Sequence, residues 1–442
     1  MDPPSQSRLL TLPLELREHI YEQLFLPSAN RYTDSFDFTS YAYQLSFFRV
    51  CWQVYHESRA VFRKLNTFVR IETPWHEAQQ YIEMEGHVPL IIKGDMATGF
   101  KDHTLSVLIE APRYQRPDIL SHMCVIHVDD LDRFCRMWFY SDLSHDESLN
   151  QHLRLTLLLR NPATAAALAD FASHTTGSGG GSGNGNSNGS GSPNGNPGNQ
   201  NRNIIPRALQ KRLLEPFEKI KGLQDCRFEG AYDSRISQAV AKVQREPYVT
   251  REQCIENGNK LKDEGDVAMR KGNYHEAITL YLKAFEAIHI TNRGHHRSVW
   301  ADAFFEYELI AGPDKGQYAQ IIRLILRVRL VASVVQAYLK LENWEEAQFW
   351  GIRTIRLTRE AYGLDPDEQS EDEPLITFNA MPEMGHIYYR TAIAYRKLDD
   401  ELTAWKLIRI AKKYLPEDPN VQQEQERKVA AKEGEDPSRK RP

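Results

Sequence analysis

Apolar side chains recur at helical spacing over residues 9–27, where Leu16, Ile20 and Leu24 stand four apart with Tyr21 and Phe25 beside them, which predicts a short amphipathic helix. Thr11 is placed to cap it, and Pro13 suits its first turn. A second helical pattern covers residues 48–65 and carries Val50, Val54, Val61, Phe62 and Leu65. Composition alone predicts that the first stripe packs on this second helix. From Leu105 the texture changes to short β-rich runs at 105–109, 124–128, 153–159 and 224–229. Between the second and third, residues 129–140 open on Asp129, Asp130 and Asp132 and put Leu131, Phe134, Met137 and Trp138 on one side, which predicts a helix with capping aspartates. A further helix is expected over 205–221. The first half of the chain therefore reads as an α+β domain.

After Thr250 the period becomes helical throughout and internal similarity sets in. Leu261, Gly265, Ala268, Gly272, Tyr274, Ala277, Ile278, Tyr281 and Ala284 form one copy; a second runs through Tyr338, Leu339, Trp344 and Ala347, and a third through Ala392, Tyr395, Leu398 and Ala404. Small residues at Gly265, Ala277 and Ala284 allow two antiparallel helices to approach closely, with Tyr274 and Tyr281 filling the space between them. Extra residues separate the copies, at 289–310 and 363–382, and the helix over 318–341 is lengthened. Pro416 ends the third copy, and residues 421–432 suit a terminal polar helix.

The N-terminal residues Leu9-x-x-Leu12-Pro13-x-Glu15-Leu16-x-x-x-Ile20-x-x-x-Leu24, with Val50-Cys51-Trp52 further on, resemble an F-box, most closely the fungal F-box-like type, in which such a second helix runs into a strand like residues 66–72. In that family the Leu-Pro turn and the following helix dock on a Skp-type adaptor of a cullin-RING ubiquitin ligase. The resemblance implies that Leu12, Pro13, Leu16, Ile20 and Leu24 form the adaptor face, an apolar helix-against-helix interface. It also implies that the helix and strand after residue 205 complete the first domain, with the low-complexity residues 174–203 a disordered insertion within it. On length alone that tract is equally an interdomain linker.

The repeated segment resembles tetratricopeptide (TPR) repeats, which implies an all-α helical solenoid that binds extended peptides on its concave face. In the chaperone-binding subset of that family a clamp of lysines, asparagines and a further basic residue holds a C-terminal carboxylate. Carried over by position, Lys262 takes the first lysine site, Asp266 the first asparagine, Ser333 the second asparagine, His386 the next lysine and Arg390 the last basic site. Only Lys262 and Arg390 keep the chemistry, and Asp266 is expected to repel a carboxylate, so Lys262 and Asp266 read first as a solvated helix face.

Together these readings predict an F-box-like α+β domain over 1–245 (helical 8–65, β-rich 66–230), a TPR-like solenoid over 246–435 and a basic tail at 436–442. The expected function is non-enzymatic protein binding, as a substrate receptor of a ubiquitin ligase. The alternative is a co-chaperone-like or assembly scaffold without a ligase role.

Composition adds little to attract other partners. Fifty-five Lys and Arg against 60 Asp and Glu give a net charge of -5, with 41% hydrophobic and 26% charged residues, so no nucleic-acid or membrane partner is expected. Ten of the 25 glycines fall between Gly177 and Gly198, where no apolar side chain offsets the entropy of ordering the backbone. Five scattered cysteines without a CxxC pair read as buried thiols of a reducing compartment. With no secretory signal, a cytoplasmic or nuclear location is expected, the short run Arg439-Lys440-Arg441 being a minimal nuclear address. No catalytic residue, metal or cofactor is expected. Gly185-Asn186-Ser187-Asn188-Gly189 fits a nucleophile-elbow pattern, but no strand or helix pattern flanks it. His122 and His127 fall on opposite faces of a strand, and His295-His296 reads as a solvated loop.

Overall fold

The computed structural model describes residues 8–34, 38–113, 121–162, 205–367, 375–424 and 426. The low-complexity tract at 174–203 and the basic tail at 436–442 lie outside the described residues. The chain divides into two compact units, Met1–Tyr248 and Val249–Pro442, the first mixed α+β and the second dominated by helices.

The first unit opens with α1 (Leu14–Phe25) and α2 (Trp52–Leu65). Pro13 is the residue before α1 and no side chain caps it; Thr11 instead donates to the Arg8 carbonyl at 2.7 Å. Between the two helices lies a small hairpin, β1 (Arg31–Thr33) with β2 (Thr39–Tyr41). A six-stranded mixed sheet follows, with β3 (Phe68–Thr73), β4 (Leu90–Lys93), β5 (Leu105–Glu110), β6 (His122–His127), β7 (Arg154–Leu159) and β8 (Asp225–Gly230) in the order β4-β6-β3-β5-β7-β8. β3 runs parallel to β5 and β7 parallel to β8; the other neighbours are antiparallel. β8 comes after the undescribed tract yet pairs in register with β7, Leu157 opposite Phe228.

The sheet's core is apolar on strand after strand: Val69, Ile71, Leu105, Val107, Leu155 and Leu157 are buried together with Phe134 and Trp138 of α4. Helices α3 (Ala78–Met84), α4 (Leu131–Leu143), α5 (Arg207–Leu214) and α6 (Ser234–Gln244) surround it. The helix expected over 205–221 is shorter, because Pro216 lacks the amide a continuing helix needs; a tighter turn, Glu215–Lys219, takes over. The three aspartates do not cap α4 with their side chains. Asp129 pairs with His127 and Arg212, Asp130 is buried under Arg31 and the Tyr41 hydroxyl at 2.8 Å each, and Asp132 meets Lys219 and Arg136.

Among its described residues the second unit holds three helical pairs. They are α7 (Arg251–Arg270) with α8 (Tyr274–Ala287), α9 (Ala319–Lys340) with α10 (Trp344–Ala361), and α11 (Met381–Lys397) with α12 (Glu401–Tyr414). The same turn closes each pair. Its second residue has positive φ (Gly272, Glu342, Asp399), and its third donates its amide to the residue five back, Asn273 to Ala268, Asn343 to Tyr338 and Asp400 to Tyr395, satisfying carbonyls that the ending helix leaves open. Ala277, Ala347 and Ala404 occupy the same buried place in the second helix of each pair. A Cβ on Gly265 would stand 2.4 Å from the Tyr281 ring, so only glycine admits this close crossing of α7 and α8.

The extra residues after α8 are more than a loop, though His295 at their turn is exposed as expected. They form the hairpin β9 (Ile290–Arg293) and β10 (His296–Val299), and His295 at its turn stacks on Phe349 of α10 at 3.8 Å. After Pro416 a helical turn begins with Val421 fully buried, and the rest of the cap expected at 421–432 lies beyond residue 426. The cysteines are free thiols, but only Cys124, Cys135 and Cys254 are buried; Cys226 is partly so and Cys51 is exposed.

Candidate functional site

At 100° per residue, α1 carries two adjacent apolar stripes, and the structure buries the one that sequence pattern did not favour. Arg17, Tyr21 and Phe25 turn inward onto Val54 and Val61 of α2. Leu16 and Ile20 stay 53% and 37% exposed, Pro13 is exposed, and Leu12 and Leu24 are half-buried. Val50, expected in the α2 stripe, is exposed as well.

What made Arg17 legible only in three dimensions is its partner. Its guanidinium grips Glu57 of α2 in a bidentate pair at 2.8 and 2.6 Å and donates to the Leu12 carbonyl, while the Tyr21 hydroxyl donates to the same carboxylate at 3.0 Å. These bonds from Arg17 first, then Gln53 and Tyr21, outweigh burial and hold the Glu57 carboxyl down at about 2. The Leu12-Pro13 turn is thereby fixed to α2, and the outer stripe is presented on a rigid helix.

In the second unit, Lys262, Asp266, Ser333, His386 and Arg390 come from α7, α9 and α11 and line one cleft of about 620 Å³. Lys262 pairs with Asp266 at 2.7 Å, and Tyr281 donates to the other Asp266 oxygen at 2.7 Å. Asp266 is thus a tied brace with both oxygens engaged, and Lys262 is partly buried beside it instead of belonging to a freely solvated face. Arg390 donates to the Ala332 carbonyl at 2.6 Å, and burial brings its guanidinium down to about 10, still cationic at neutral pH. His386 is pushed down by burial and then by the Arg390 charge, so it is neutral there and does not replace a lysine.

Sequence reasoning missed Arg270, Arg329, Gln336, Lys340 and Glu383, which line the same cleft. The signal was available: Arg329, Ser333, Gln336 and Lys340 recur every three or four residues on α9, so they share a face. Arg329 reaches Glu383 at 2.9 Å. With Lys262, Arg270, Arg329, Lys340 and Arg390 facing Asp266 and Glu383, the cleft is net cationic.

No family model, curated protein or solved structure matches the chain. Among the described residues no group of His, Cys, Asp and Glu could hold a metal ion, and no helix is long and apolar enough to cross a membrane.

Proposed function

We propose that this chain is a non-enzymatic interaction protein in which an F-box-like N-terminal module is joined to a TPR-like repeat module, and that it acts as a substrate receptor of a cullin-RING ubiquitin ligase. The observation that carries the reading is the outer stripe of α1. Pro13, Leu16 and Ile20 face outward while Arg17, Tyr21 and Phe25 anchor the helix, so three of the five residues that the F-box resemblance assigns to adaptor docking are not consumed by the fold, and Leu12 and Leu24 are half-buried. An apolar helix face of this kind suits a helical partner. The full chain mixed with a Skp-type adaptor at micromolar concentration is expected to co-elute with it in size-exclusion chromatography. Separate elution would remove the ligase reading.

The cationic cleft favours a second reading, a co-chaperone-like or assembly scaffold that captures an acidic peptide terminus in the repeat module. Lys262→Ala with Arg390→Ala is expected to weaken binding of a peptide with an acidic free C-terminus by roughly tenfold, the scale of one or two charge-assisted hydrogen bonds. Fluorescence anisotropy would measure it. Equal affinity in a variant whose melting temperature is unchanged would discard the clamp.

A further inference from the structure

Four arginines gather beneath the β9–β10 hairpin, away from the cleft of the second unit. Arg297 lies on β10, Arg323 and Arg327 sit one turn apart on α9, and Arg353 belongs to α10. Arg323 is satisfied, by Asp302 at 2.7 Å and by three main-chain carbonyls. The other three have no carboxylate partner among the described residues. Arg353 donates to the His295 carbonyl at 2.7 Å, and the Arg327 guanidinium, close enough to Arg323, Arg353 and, more weakly, Asp302 to feel their charges, makes no hydrogen bond or ion pair there.

Arg297 is the least ordinary of them. It is only 9% exposed, its guanidinium lies over the rings of Phe285 and Trp350 at 5.7 and 5.2 Å, and its Nη1 is buried without an acceptor. Its cross-strand partner Asn292 takes the Nε hydrogen bond at 3.0 Å and leaves its own Nδ2 buried without an acceptor. Two occluded donors on one bonded pair, in a cluster of four arginines with Asp302 as its carboxylate, suit an acceptor of negative charge. A water molecule would satisfy the donors and leave the charge; leaving the buried Arg297 cation uncompensated is costly, and Arg327 and Arg353 beside it are partly exposed.

We propose that Arg297, Arg327 and Arg353, with Asn292, enclose a small tetrahedral oxyanion of the phosphate class under the β9–β10 hairpin. Guanidinium suits this ligand because its N–H fork matches phosphate oxygens two at a time. Because the orphan donors face inward, the occupant is the free ion and not a phosphate carried on a macromolecule. The hairpin is its cover, tied to α10 through the His295–Glu346 contact at 2.9 Å.

The test is the melting temperature of the full chain in inorganic phosphate, with chloride at equal ionic strength as control. At phosphate about a hundredfold above its Kd the second unit should melt roughly 5 °C or more higher. Sulfate should act in the same direction, and acid-released phosphate assayed on protein equilibrated in phosphate and then desalted should approach one per chain. Arg327→Met, which removes an unpaired cation, should melt no lower than wild type in chloride and lose the phosphate increment. Asn292→Asp places a carboxylate where the anion would sit, and should melt higher in chloride and respond less to phosphate. Equal wild-type melting in phosphate and chloride, or a full increment retained by both variants, would overturn the proposal.

Discussion

Leu16→Asp is expected to weaken capture of a Skp-type adaptor by about a hundredfold or more while leaving the melting temperature of the chain nearly unchanged, and Ile20→Asp should behave alike. A carboxylate forced into an apolar helix-against-helix contact meets no partner, and burying an unpaired charge costs several kcal/mol, more than the ~2.7 kcal/mol that a hundredfold loss represents. The free protein does not feel that cost. Leu16 and Ile20 are 53% and 37% exposed, where substitutions usually stay within about 0.5 kcal/mol. Leu16 also lies in the first turn of α1, where a negative charge is mildly favoured. Phe25→Ala is the contrast. Phe25 is fully buried against Phe48 and Phe62, so its truncation should cost about 3–5 kcal/mol and lose the adaptor by unfolding the helix pair. Calorimetry beside a binding assay separates the two cases. Undiminished binding by both aspartate variants would remove the outer stripe from the interface.

That contrast also shows where the sequence was ambiguous. On α1 both stripes are apolar enough to be buried, and the deciding residue is Arg17, whose type argues for solvent. Only the tertiary pairing with Glu57, some 40 residues away, and the Leu12 carbonyl turn it inward; no local pattern encodes a bond of that range. The sheet strands were easier, because β5, β6 and β7 are apolar runs bounded by polar or turn-forming residues. β4 was not recognised: four residues after Pro89 are too few to set a period. The helical pairs of the second unit were legible from glycine, alanine and tyrosine spacing, since a close helix crossing admits few residue types. The β9–β10 hairpin was not. Its strands carry Asn292, Arg293, His296, Arg297 and Ser298, and a polar, partly exposed hairpin pinned by stacking of Arg297 and His295 on aromatic rings looks in sequence like a loop.

The cleft lies between these extremes. Lys262, Asp266, Ser333, His386 and Arg390 meet on one surface, but the chemistry each brings is set by neighbours that a positional comparison does not see. Asp266 looks hostile to a carboxylate until Tyr281 and Lys262 are found to occupy both its oxygens, and His386 looks like a lysine substitute until burial and Arg390 remove its proton. The same neighbours make the cleft sensitive to how tightly the helical pairs close on one another, because its cations come from three different helices.

Gly351→Ala should therefore do two things, destabilise the second unit by about 2–3 kcal/mol and weaken peptide binding in the cleft. In an exposed helix interior the same change usually stabilises by up to ~1 kcal/mol, because alanine loses less backbone entropy. Here the sign reverses. A Cβ on Gly351 would stand 1.8 Å from Thr391 Oγ1 and 2.9 Å from Thr391 Cβ. Thr391 is fully buried on α11 and donates to the Ile387 carbonyl at 2.6 Å, so its side chain has no free rotamer to retreat to. The helices α10 and α11 must separate, and overpacking of this kind typically costs 1–3 kcal/mol beyond the lost propensity gain. For a unit of this size the melting temperature should fall by roughly 5–10 °C. Thr391 is followed back one residue by Arg390, whose bond to the Ala332 carbonyl ties α11 to α9 across the cleft; a displaced α11 loosens that bond first. Gly351→Ala combined with Thr391→Ala removes Oγ1 and Cγ2, the first and third nearest atoms, leaves Cβ at 2.9 Å, and should recover part of the stability, which a double-mutant cycle would register as coupling between the positions. A single Gly351→Ala variant melting at or above wild type would mean that α10 and α11 do not approach as closely as the glycine allows, and that the cleft's geometry does not depend on their contact.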